Sequence, residues 1–245
     1  MIKQIRYWNI ILLAFLSLTI TVVHADDATL ENGVKAVENQ DYMTAYQIFK
    51  NLAEQGNPEA QYNLAILYKQ GKGVMQDVAA AVNWFQKAAD QGLPSAQYYM
   101  GHLYDEGEGV GKNFTKAVEW YQKAAEQGDP LAQTNLGVAY ANGEGIKQDV
   151  VLAYVWFSLA ASQGLTSALE NRNLLKKDMS EKLVQNAQRL TREYFNQYVA
   201  PYQPQTDKLG EGHHPRADDA HRGLNIPNPV APPSAGNPPP GHGKP

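Results

Sequence analysis

The sequence predicts an all-α solenoid of stacked helical hairpins, and three observations lead to it. Prolines 58, 94 and 130 stand 36 residues apart, while the other 11 of the 14 prolines all fall from Pro201 onward. The blocks they open, 58–93, 94–129 and 130–165, are identical in all three copies at 12 of their 36 columns. Each block also places a Gly-x-Gly between two runs of helical spacing: Gly71/Gly73, Gly107/Gly109 and Gly143/Gly145. Self-similarity at a fixed period of this length marks a stacked array, because one hairpin cannot bury its own apolar face.

The elements follow in chain order. Residues 1–25 have the three parts of an export signal: Lys3 and Arg6, the apolar run Ile10 to Val23, and the compact end Val23-His24-Ala25. The run is 14 residues long, short of the ~20 that span a bilayer. Cleavage after Ala25, a mature start at Asp26 and a periplasmic or secreted destination are expected, with no stable membrane anchor. The chain has no cysteine, which excludes disulfides, thiol chemistry and a lipid-modified N-terminus.

In each 36-residue block, proline opens a first helix, where its missing N–H breaks no bond. Ala96, Met100, Gly101 and Tyr104 then recur at helical spacing as one expected buried stripe. Gly101 and Gly137, with Ala65 in the preceding block, let the partner helix approach. The Gly-x-Gly closes the first helix, and Asp77, Asn113 and Asp149 are expected N-caps of the second. That second helix is expected to bury Trp84, Trp120 and Trp156 alike. Truncating Trp120 would then cost ~3–5 kcal/mol. Gln91-Gly92, Gln127-Gly128 and Gln163-Gly164 end the blocks.

The frame Ala96-x3-Met100-Gly101-x2-Tyr104-x2-Gly107-x-Gly109-Val110, followed by Asn113-x3-Ala117-x2-Trp120-Tyr121-x2-Ala124-Ala125, resembles the Sel1-like repeat family, a relative of the tetratricopeptide repeat. The resemblance covers roughly Leu30 to Tyr198. It implies an α/α solenoid that binds proteins or peptides. Residues 26–57 look like a shorter, tetratricopeptide-type first hairpin without the Gly-x-Gly. Residues 166–200 begin as a degenerate repeat at Ser167-Ala168, and Ser180 caps a helix carrying Leu183, Val184, Ala187, Leu190, Tyr194, Phe195 and Tyr198. That helix resembles the closing cap of such arrays. Residues 201–245 are Pro-, Gly- and Asn-rich, and the composition predicts a disordered, solvated tail.

Several chemistries are excluded. Net charge is −4, and removal of Lys3 and Arg6 takes it to −6, so there is no basic patch for nucleic acid. Residues Gly107 to Lys112 imitate a phosphate loop, but Glu106 and Asn113 stand where a glycine and a Ser or Thr are required. No Gly-x-Ser-x-Gly, His-Glu-x-x-His or Ser-x-x-Lys is present. His213, His214, His221 and His242 lie in the tail with Asp218 and Asp219, without the preorganised surroundings of a metal site. The sequon Asn113-Phe114-Thr115 falls in a repeat turn. No cofactor, metal or catalytic residue is expected. Exported Sel1-like proteins linked to β-lactam chemistry are cysteine-rich, and this chain shares only their repeat.

A monomeric scaffold binding a protein or peptide is therefore the expected function. A cell-wall-related or β-lactam-interacting hydrolase, or an exported effector binding a host protein, remain the alternatives. If the first helices line a concave face, the columns off their stripe are exposed there and vary as specificity positions do. These are Tyr62, Asn63, Ile66, Lys69 and Gln70; Tyr98, Tyr99, His102, Asp105 and Glu106; and Thr134, Asn135, Val138 and Asn142.

Overall fold

The computed structural model describes residues 29–203. The export segment and nearly all of the tail lie outside the described residues. The helices are α1 (Leu30–Glu38), α2 (Tyr42–Glu54), α3 (Pro58–Gln70), α4 (Val78–Asp90), α5 (Pro94–Glu106), α6 (Phe114–Glu126), α7 (Pro130–Asn142), α8 (Val150–Ser162), α9 (Thr166–Lys176) and α10 (Glu181–Tyr198), followed by a 3-10 turn, Ala200–Tyr202. Each helix packs on the next from α1 to α9, giving an all-helical stack of hairpins. Helix α10 instead folds back onto α8.

Local chemistry sets the helix ends. Asn57 and Asp129 each accept a 2.8 Å hydrogen bond from the third residue on, beside the proline that opens α3 or α7. Asp77, Asn113 and Asp149 cap α4, α6 and α8 in the same way. Gly71, Gly107 and Gly143 end the first helices at φ of 66°, 76° and 75°, a left-handed conformation that suits glycine. The second glycine of each pair has a different job. A Cβ on Gly73 would sit 2.0 Å from the Tyr42 carbonyl oxygen, and one on Gly145 would sit 2.3 Å from that of Phe114. Each glycine loop thus rests on the start of the preceding unit's second helix. In the first hairpin Gln40 takes the left-handed position, at φ 61°.

A buried glutamine joins the units. Gln61, Gln97 and Gln133 donate to the carbonyls of Ala53, Ala89 and Ala125 at 3.1, 3.2 and 3.1 Å. Each also accepts from a glutamine 30 residues on, Gln91, Gln127 or Gln163, at 2.7, 2.7 and 2.9 Å. One side chain therefore ties the preceding second helix to both helices of its own unit. This is why the Gln and Gln-Gly columns recur.

Two expectations are corrected by the packing. The first helices do not bury a single stripe: in α5, residues 95–103 are all buried. Helix α5 is wedged between α4 and α6, and side chains from α3 and α7 reach it on its remaining sides. The tryptophan column is also not uniform. Trp84 and Trp120 are half-buried, with the ammonium groups of Lys87 and Lys123 lying 3.9 and 4.0 Å from their ring centroids. Only Trp156, 4 % exposed, is enclosed. Its cover is α10, whose Tyr194 and Tyr198 rings lie 5.6 Å from it. Leu159 stands where the other units carry the lysine, and it is fully buried.

Candidate interaction surface

The predicted surface positions divide sharply. Tyr62, Ile66, Tyr98, Tyr99, His102, Thr134, Asn135 and Val138 are buried, contrary to the exposure expected of them. The physical reason is that large side chains fill the space between successive first helices. Tyr99 stacks on Phe85 of α4 at 4.6 Å and 8°, and meets the edge of Tyr62 of α3 at 5.8 Å. Tyr98 packs on Tyr121 of α6 at 6.0 Å. His102 lies parallel to Tyr98, their centroids 6.4 Å apart. Thr134 donates to the Pro130 carbonyl at 2.8 Å, and Val138 packs with Phe157. These residues cement the stack.

Asn63, Lys69, Gln70 and Asp105 remain half-buried, and Glu106 and Asn142 are exposed. Asp105, Glu106, Asn135, Val138 and Asn142 come together around a cleft of about 190 Å³ where α5, α6 and α7 meet. Lys112, Phe114, Tyr121 and Glu144 also line it, with Ala117, Val118 and Ala139, and none of these is among the surface positions expected from the sequence. The Tyr121 hydroxyl donates to Asp105 Oδ2 at 3.4 Å. Burial raises the Asp105 pKa, and the neighbouring carboxylates of Glu106 and Glu144 act in the same direction, against Lys112. Asn135 is 5 % exposed, and its side-chain amide is hydrogen-bonded with the Tyr98 and Tyr121 hydroxyls. Burial also lowers the His102 pKa, outweighing Glu106, Asp105 and Glu108. Among the described residues no three His, Asp or Glu side chains are grouped to hold a metal ion. No described helix is long and apolar enough to cross a membrane.

One unit earlier, the same edge of the stack is closed by an ion pair. Lys69, at the end of α3, reaches Glu108 in the next glycine loop at 2.5 Å. Adding 36 to both numbers gives Asp105 and Glu144, which replace a cation–anion pair by two carboxylates.

The Sel1 repeat family matches residues 58–93, 94–129 and 130–165. This is a Sel1-repeat protein. Among solved structures, the array resembles c5321, a protective antigen present in uropathogenic Escherichia coli strains that displays an SLR fold. The two are 29% identical with a TM-score of 0.51, over 74% of this chain and 50% of that one, so this chain spans about half the length of that protein. A Sel1 repeat protein from Oxalobacter formigenes is 39% identical, with a TM-score of 0.49, over 51% of this chain and 94% of that one. No curated protein matches the sequence.

Proposed function

We propose that this Sel1-repeat protein is a non-enzymatic scaffold that holds a protein or peptide partner at the variable ends of its first helices, in the bacterial envelope or outside the cell. Sel1 repeats generally mediate protein–protein interactions. One observation carries the reading for this chain: the 36-residue frame separates two kinds of column. Recurring prolines, glutamines, glycines and aromatics are taken up by caps, clamps and packing. The columns Lys69/Asp105/Ala141 and Gln70/Glu106/Asn142 change from unit to unit at the edge of the stack. Lys3, Arg6 and the apolar run ending before Ala25 support export. One structural relative is described as a protective antigen, which agrees with that placement.

Crosslinking in the native cell, followed by capture of the full-length chain from envelope and culture medium, tests this reading. A defined protein partner is expected, together with a mature N-terminus at Asp26. Recovery of no specific partner removes the scaffold. Turnover of peptidoglycan fragments or of a β-lactam by the purified chain overturns the non-enzymatic assignment.

A further inference from the structure

We infer that Met43 and Met75 form an oxidant-responsive surface at the joint between the first hairpin and the first full repeat. Peroxide or hypohalous acid converts both thioethers to sulfoxides there, reversibly and without opening the array.

Exposure sets these two side chains apart from the other described methionines. Met75 is 88% exposed and Met43 61%, whereas Met100 is 1% exposed in the core and Met179 is half-buried. The fold brings the pair to one place. Met75 lies in the glycine loop after α3, and that loop is seated on the first turn of α2. A Cβ on Gly73 would strike the Tyr42 carbonyl and come within 2.9 Å of the Met43 backbone nitrogen. Next to Met75, the Gln76 side-chain amide donates to the Lys69 carbonyl at 2.8 Å, which ties the loop to the end of α3.

The repeat shows that neither sulfur belongs to the frame. Gly111 and Lys147 stand at the position of Met75 in the later units, and Ala79, Thr115 and Val151 at that of Met43. Packing therefore demands methionine at neither position, and only this joint carries it.

The chemistry is a two-electron oxidation at sulfur. A thioether lone pair attacks one peroxide oxygen, an S–O bond forms as the O–O bond breaks, and the peroxide leaves as water. An apolar side chain becomes a polar one. At Met43 and Met75 the new oxygen points into solvent and costs the core nothing. At Met100 it would be buried, so that sulfur reacts only when the array opens. The change in polarity falls beside Lys69 and Gln70, at the edge proposed to hold a partner, but the modification does not depend on that reading.

Treating the folded full-length chain with dilute hydrogen peroxide, and mapping each methionine by peptide mass spectrometry, tests the inference. Met43 and Met75 should react together, ahead of Met179, with Met100 at least about tenfold slower. The melting temperature should not change, while retention on a phenyl matrix should fall. Methionine sulfoxide reductases should restore that retention. In the double variant Met43→Leu with Met75→Leu, peroxide should leave retention unaltered. Oxidation of Met100 at the rate of Met75 overturns the inference, as does a lower melting temperature once the two exposed sulfurs have reacted. Equal loss of retention in the double variant does so as well.

Discussion

Replacing Gln97 by leucine isolates the contribution of the glutamine clamp. The side chain is 5 % exposed and makes two bonds, to the Ala89 carbonyl at 3.2 Å and from the Gln127 amide at 2.7 Å. Neither partner is left bare, because Ala89 still accepts from the Gly92 N–H at 2.9 Å and Gln127 still donates to the Lys123 carbonyl at 3.3 Å. The loss is therefore two ordinary buried bonds at about 1 kcal/mol each, without the larger cost of orphaned groups. Leucine keeps most of the volume, so the cavity contribution is small and the expected destabilisation is about 2 kcal/mol. Against a total of about 5–15 kcal/mol that is a large fraction. Urea unfolding followed by far-ultraviolet circular dichroism measures it. The single change Gln127→Ala should cost about 1 kcal/mol, and the double-mutant cycle should return a coupling of about 1 kcal/mol. A Gln97→Leu protein as stable as the parent, or a coupling near zero, refutes the clamp as a source of stability.

Further expectations follow from single contacts. Trp156→Ala should cost ~3–5 kcal/mol, whereas Trp120→Ala, under Lys123 at the surface, should cost about 1 kcal/mol; denaturant midpoints rank the two. Gly101→Ala places a Cβ 2.5 Å from the buried Tyr121 ring, so a loss of about 1–3 kcal/mol should outweigh the gain in helix propensity, read as a lower melting temperature. Gln40→Gly relieves the left-handed backbone at φ 61° and should stabilise the first hairpin by about 1 kcal/mol, seen as slower amide exchange in α1. His102 is held below its ordinary pKa of 6.5 by burial, with Lys69 acting the same way and Glu106, Asp105 and Glu108 opposing. The unfolded chain therefore binds this proton first, and the stability it contributes is full above pH 6.5 and declines as pH falls through that value toward the folded pKa. His102→Gln should flatten the decline in a series of urea titrations across that range, and an unchanged slope contradicts the assignment.

The features legible in the sequence were those with local causes. Asp77, Asn113 and Asp149 cap because their side chains reach amides three residues away, and Gly71, Gly107 and Gly143 end helices through a single backbone angle. The burial of Tyr98, Tyr99 and His102 is not legible in the sequence because it depends on what stands on either side of α5. A stripe drawn on one helix cannot report a neighbour 36 residues away. For the tryptophans, the sign was three residues downstream, where Lys87 and Lys123 give way to Leu159. The cleft had a comparable sign in the change from Lys69 and Glu108 to Asp105 and Glu144, visible once one unit is laid over the next. The glutamine column recurred plainly, yet its partner 30 residues on is a tertiary fact.

The fold-back of α10 gives the array a direction of growth. A duplicated block beginning at a proline brings its own clamp glutamine and finds the same alanine carbonyl on the unit before it, so copies can be gained or lost between the first hairpin and α7. The last full unit lacks that freedom, since Trp156 needs the tyrosines of α10 above it. Evolution can therefore lengthen this protein in steps of one block from the interior, while the final block and its lid must be inherited together.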